Sequence, residues 1–159
     1  MSIALFRIDD RLIHGQVVVG WGQSLGVEFI VLVDDDVRAS EWEQELYRMG
    51  VPPEVEVTFA SVAEAAARLG EWMAEGRKGI ALTGDVESMA RLVESSNGQV
   101  RQINVGGIHF REGRREHLRY VYLTDAETAR LKDIAERGVD VSAQDVPTGT
   151  RVPLAEFAA

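Results

Sequence analysis

Short apolar runs alternate along the chain with segments whose apolar residues fall at helical spacing. Ile3 to Ile8 is the first run and reads as a buried strand. A helix begins around Gly15 or Gln16, where Val17, Val18, Trp21 and Leu25 share a face. Three consecutive valines and two glycines make that segment a poor helix on propensity, and Gly26 stops it. Phe29 to Val33 is a second strand, closed by Asp34-Asp35-Asp36, which offers a helix cap. A helix from about Ser40 to Met49 ends before Pro52-Pro53, and Val55, Val57 and Phe59 alternate as a half-buried strand.

Ser61 with Glu64 forms a capping box and opens an alanine-rich helix to about Glu75, closed by Gly76. Gly79 to Thr83 is the next strand. Asp85 with Ser88 opens a helix to about Glu94, and Asn97-Gly98 turns the chain into a strand from Gln102 to Val105. The polar stretch between Gly106 and Leu118 reads as a loop above the sheet. Tyr120 to Leu123 is a sixth strand. Thr124 with Glu127 caps a helix to about Arg137, stopped by Gly138, and Val139 to Gln144 is a last edge strand before Pro147.

This alternation predicts an α/β fold: an open, mostly parallel twisted sheet of about seven strands with helices on both faces. Ligand chemistry in such sheets gathers beyond the carboxyl ends of the strands, where His14, Asp34 to Asp36 and Gly106 onward are candidates. A chain of 159 residues, 45% hydrophobic, is expected to form one domain spanning 1–159. Its 26 acidic against 17 basic side chains, for a net charge of −9, argue against nucleic acid and anionic lipid as partners and for a locally basic partner surface. There is no cysteine, which removes disulfides and thiolate chemistry. No apolar run approaches the roughly 18 to 20 residues of a membrane span, so no direct membrane insertion and a cytoplasmic location are expected. The three histidines lack metal-ligand spacing, and no phosphate-binding glycine motif for nucleotides follows the first strand, so no metal and no cofactor are expected.

The stretch that stands out is Arg7-Ile8-Asp9-Asp10-Arg11-Leu12-Ile13-His14-Gly15-Gln16-Val17. It compresses two acids, a base and a histidine into the turn between strand and helix. A phosphate added to His14 at a helix entrance would meet backbone N–H groups and the positive end of the helix dipole, beside Gly15. Arg11 supplies a guanidinium fork for phosphate oxygens. Asp9 or Asp10 can accept from one imidazole nitrogen and leave the other as nucleophile. The amides of Gly106 and Gly107 could approach a phosphate as a second wall, or the pair could simply mark a tight turn.

The same residues, followed by Trp21, resemble the active-site signature of the IIB component of the mannose/sorbose-type sugar phosphotransferase system. The likeness continues through Asn104-Val105-Gly106-Gly107, Phe110-Arg111-Glu112-Gly113, Gly138-Val139 and Gln144-Asp145-Val146-Pro147. Thr148-Gly149 stands where the family commonly has an acidic residue after the proline. The resemblance implies that His14 receives a phosphoryl group from a IIA component and passes it to a sugar held by the membrane subunits IIC and IID. Arg11 and Asp9 would serve as catalytic partners, with Asp10, Gly15, Gly106 and Gly107 in support. It also implies one antiparallel strand, and a chain held peripherally at the inner membrane face through IIC and IID. For such a relay the cluster Arg111, Arg114 and Arg115 is the candidate docking patch in an acidic chain, the bland alternative being a solvated loop tip. His109 and His117 have no transfer role on this reading. Two alternatives stay open: a regulatory or binding module phosphorylated at His14 without sugar transport, and a small ligand-binding domain in which His14 is only a contact.

Overall fold

The structure is a computed structural model and describes residues 3–158, apart from the side chain of Gln16. Strand β1 (Ile3–Ile8) leads through the turn at residues 9–14 into a π-helix, Gln16–Gly22, which tightens into a short α1 (Gln23–Leu25). The valines and glycines that weaken this segment as an α-helix are accommodated by the wider π geometry. It ends at Gly26 with φ of 67°, a left-handed cap that glycine takes without steric cost. β2 (Phe29–Val33), α2 (Asp35–Arg38), α3 (Glu41–Met49), β3 (Glu56–Ala60) and α4 (Val62–Met73) follow. Then come β4 (Gly79–Thr83), α5 (Val86–Ser95), β5 (Gln102–Val105), the hairpin β6 (Arg115–Leu118) and β7 (Val121–Leu123), and α6 (Asp125–Glu136). β8 (Asp140–Ala143), β9 (Val152–Pro153) and α7 (Leu154–Phe157) complete the chain.

Seven strands pair in the order β3-β2-β4-β1-β5-β8-β9, all parallel except β9, which runs antiparallel to β8. The open, mostly parallel sheet expected from the alternation is therefore present, with the one antiparallel strand that the resemblance implies, and with two changes in how strands are used. The run Tyr120 to Leu123 does not join the sheet: β7 pairs with β6 as a separate antiparallel hairpin, so part of the polar stretch after Gly106 is strand and not loop. The edge is β9, not the strand at Val139 to Gln144, and Pro153 sits there because an edge strand can spare an N–H.

Side-chain alternation splits the core into two layers. Phe29, Val31, Val33, Ala81, Ile103, Val105 and Val141 face α4, α5 and α6, while Ile30, Leu32, Ile80 and Leu82 face Val17, Val18, Trp21, Val37 and Tyr47 on the other side. At about 25 cal/mol per Å² of apolar area, burying one such side chain favours folding by roughly 1.5–3 kcal/mol. The strand order reverses beside β1, because the chain passes from β4 on one flank of β1 to β5 on the other. Among the described residues no helix is long and apolar enough to cross a membrane.

Candidate active site

The reversal of strand order opens a crevice at the carboxyl end of β1, and three backbone bonds fix the loop that fills it. Asp9 N–H donates to Thr83 O at 2.9 Å, Gly106 N–H to Ile8 O at 2.7 Å, and Asp10 N–H to Gly107 O at 2.8 Å. Leu12 N–H closes the turn on Asp9 O at 2.9 Å with Leu12 at φ of 59°. A non-glycine residue in the left-handed region is held there at a cost, here by burying Leu12 against Gly84, where an added Cβ would lie 2.8 Å from Leu12 Cδ2. His14 follows directly, its carbonyl accepting from Val17 and Val18 N–H at 3.1 and 2.9 Å, so the ring stands at the entrance of the π-helix.

Asp9 is the electrostatic centre of the site. Its side chain is wholly buried and takes 3.1 Å from Arg7 Nη2, 2.9 Å from Arg11 Nε and 2.9 Å from Arg11 Nη2. Burial alone would raise the Asp9 pKa, but the bond from Arg11 and the charges of Arg7 and Arg11 hold it below the usual carboxylate value. His14 Nε2 is buried and lies 3.8 Å from Asp9 Oδ1, too far for a hydrogen bond. At that separation Asp9 acts on the imidazole through charge. Burial and the Arg11 charge lower the His14 pKa, with Asp9 opposing and Arg7 assisting, so the ring is neutral at physiological pH.

The other predicted residues fall into place around this centre with altered roles. Arg11 forms its fork, but onto Asp9, with Nη2 also 3.9 Å from Asp145 Oδ1. Asp10 does not meet His14: its carboxylate accepts from His109 N–H at 2.7 Å and pairs with His109 Nδ1 at 2.6 Å, which ties the loop after β5 to the active loop. His109 is thus part of the local architecture. Gly15 is exposed at φ of −52°, and a Cβ there would meet open space. Gly106 and Gly107 serve the arginines: an added Cβ would lie 2.2 Å from Arg7 Nη2 and 3.0 Å from Arg11 Nε respectively. The three candidate docking arginines are not equivalent. Arg111 is exposed, Arg115 is exposed beside Asp125, and Arg114 is buried to 9% exposure by Glu127 at 2.8 Å and His109 O at 2.8 Å. Arg114 braces the loop and offers little charge to a partner.

Arg7 is the functional residue that reasoning from the motif passed over. Fully buried, it donates from Nη1 to Asn104 Oδ1 and to Gln144 O at 2.8 Å, and from Nη2 to Asp145 O at 3.0 Å, while its guanidinium lies 4.9 Å from the Trp21 ring centroid. The available signal was an arginine within a strand whose neighbours are all apolar, because such a charge folds only with a prepared set of acceptors.

The family described as "PTS system sorbose subfamily IIB component" matches residues 3–159. The N-acetylgalactosamine-specific phosphotransferase enzyme IIB component 1 of Escherichia coli K12 is 34% identical over 149 residues, covering 92% of each chain. The mannose-specific EIIAB component of the same strain is 30% identical over 157 residues, where this chain spans 99% of itself and 48% of that longer protein. The crystal structure of the IIBSor domain of the sorbose permease from Klebsiella pneumoniae superposes with a TM-score of 0.89 at 27% identity, covering 99% of this chain and 96% of that one. With a charged, neutral-histidine site at the switch point of a shared fold, the chain belongs to the sorbose-subfamily IIB components, the sugar-specific phosphotransferases of the phosphotransferase system.

Proposed function

We propose that His14 accepts a phosphoryl group from the phosphohistidine of a IIA component and delivers it to a hydroxyl of a sugar presented by membrane IIC and IID subunits. The observation that carries this reading is the neutral imidazole of His14 poised 3.8 Å from a carboxylate that two arginines keep ionised. Nδ1 is the nucleophilic nitrogen, because Nε2 is buried toward Asp9. As the new N–P bond forms, the N–P bond to the IIA imidazole breaks, and no net charge is created between the two rings. In the second step the sugar oxygen attacks phosphorus, the N–P bond to His14 breaks, and the hydroxyl proton leaves with the departing imidazole.

Arg11 is the adaptable element. Its fork rests on Asp9 before transfer, and an arriving phosphoryl group offers a competing set of anionic oxygens to the same guanidinium. Arg7 stays in place and keeps Asp9 ionised when Arg11 turns, so the site trades partners without burying a lone charge. Phosphate is thereby stabilised in transit without being bound too tightly to leave. Arg111 and Arg115, with the exposed Phe110, form the surface we assign to IIA docking. The match to a protein named as an EIIAB component supports a IIA donor. On this reading the chain works in the cytoplasm, held at the membrane by IIC and IID.

The test is transfer of labelled phosphate from phospho-IIA to this protein, then to sugar by vesicles carrying IIC and IID. Label reaching His14 and then the sugar is the expected result. Label that reaches His14 and never leaves to any sugar would favour the regulatory module instead.

A further inference from the structure

The sheet carries a second recess that the relay does not use. The helix-covered layer beside the π-helix contains no residue of β5 or β8, so the side chains that these strands turn to that face are not capped by a helix. They are Gln102, Asn104 and Ser142, continued by Gln144, while the alternate residues Ile103, Val105, Val141 and Ala143 lie in the core under α6. A cavity of about 280 Å³ opens over them, walled by Trp21 at its upper end and reaching down to Arg101 and the start of β1 at Ile3.

The polar groups of this cavity are prepared for a ligand. Ser142 is only 2% exposed and lines the cavity, yet its hydroxyl has no hydrogen-bond partner among the described residues. The hydroxyl is therefore open to whatever occupies the cavity. Gln102 likewise makes no side-chain hydrogen bond, and Arg101 no ion pair, with any described residue, whereas Arg151 at the rim is held by Asp140 at 2.6 Å. One unengaged guanidinium, an amide and a cavity-facing hydroxyl around an apolar wall of Trp21, Leu5 and Phe6 match a ligand with an anionic end, several hydroxyls and a ring face. The volume suits one monosaccharide.

We propose that this cavity binds a sugar phosphate, with Arg101 on the phosphate and Gln102 and Ser142 on ring hydroxyls. The site is distinct from the His14 crevice, but its upper wall is shared with the machinery beneath it, because Asn104 and the Gln144 carbonyl also accept from Arg7.

Backbone amide NMR of the intact protein, titrated separately with glucose 6-phosphate, glucose and inorganic phosphate, tests the assignment. Glucose 6-phosphate is expected to shift the amides of Gln102 and Ser142 and the Trp21 indole N–H, with affinity about tenfold weaker in Arg101→Ala, as loss of one charge-assisted bond implies. Gln102→Ala should weaken it as well, and both exposed-residue variants should keep the wild-type spectrum elsewhere. Glucose or inorganic phosphate alone should perturb the same amides only at higher concentration. Shifts confined to residues 9–15 and 106–109, an equal response to inorganic phosphate, affinity unchanged in both variants, or no shifts at all would each overturn the proposal.

Discussion

Arg7 and Asp9 face each other across 3.1 Å on the same strand end, each with a fully buried side chain, and the rest of the site is assembled on that pair. Neither charge survives burial alone, so the pair sets both the stability of the crevice and the charge that His14 sees. Asp9→Asn leaves Arg7 without its counter-ion in the interior. The expected cost is about 3–5 kcal/mol in urea unfolding, typical of breaking a buried pair from one side. A loss below about 1 kcal/mol would mean that the pair behaves like a surface bridge.

Gly106 and Gly15 flank the same site and should respond oppositely to alanine. At Gly106 the new methyl would sit 2.2 Å from Arg7 Nη2, so Gly106→Ala must displace the guanidinium from Asp9 and should lower both the melting temperature and phosphate acceptance. At Gly15 the methyl meets open space at a helical φ of −52°, and Gly15→Ala should leave the melting temperature unchanged or slightly raised. Thermal unfolding of both variants checks the pair.

The pH behaviour follows from the direction of two shifts. Burial, with Arg11 and Arg7, lowers the His14 pKa in the folded protein, so between that value and the ordinary value of about 6.5 the unfolded chain binds the extra proton. The His14 contribution to stability is therefore complete above about pH 6.5 and declines as pH falls through that window. For the depressed carboxylate of Asp9 the contribution is present above about pH 3.9 and lost as pH falls through its lower folded value. NMR titration of the His14 ring should give a midpoint below that of an unstructured histidine. A midpoint above it would mean that Asp9 outweighs burial and the arginines.

The loop proposed for docking carries two kinds of arginine, exposed Arg111 and buried Arg114. Arg111→Ala should slow phosphorylation by IIA at low salt, with the deficit shrinking as ionic strength rises past a Debye length of about 10 Å, because rim charges act on association. Arg114→Ala should instead destabilise the loop at every salt concentration, since its guanidinium is held 2.8 Å from both Glu127 and the His109 carbonyl. Stopped-flow transfer across a salt series reads both. An Arg111→Ala deficit that persists unchanged in high salt would place Arg111 in the chemical step.

What could be read from sequence was whatever acts over a few residues. Ser61 with Glu64 and Thr124 with Glu127 form complete capping boxes, Asp34 and Asp85 cap their helices, and Gly26 and Gly138 take positive φ where helices stop. Each is a side chain or a backbone freedom acting on its own neighbourhood, so spacing alone reveals it. The partners within the site were harder, because Arg7 finds its acceptors at Asn104, Gln144 and Asp145, some 97 to 138 residues away. Without those contacts the sequence does not reveal that the Arg11 fork rests on Asp9, and it leaves Gly106 open between a phosphate amide and a tight turn without showing that it makes room for Arg7. The hairpin β6 and β7 is not legible as a separate unit, because a three-residue run of Val121, Tyr122 and Leu123 looks the same in any sheet.

The residence of the phosphate decides whether His14 is the acceptor. The protein is incubated with phosphoenolpyruvate, enzyme I, HPr and a cognate IIA, then digested at neutral to alkaline pH and mapped by mass spectrometry. A single acid-labile phosphate on His14, absent from His14→Ala while that variant keeps the wild-type circular dichroism spectrum, is the predicted result. Phosphate retained by His14→Ala on any other residue would contradict it.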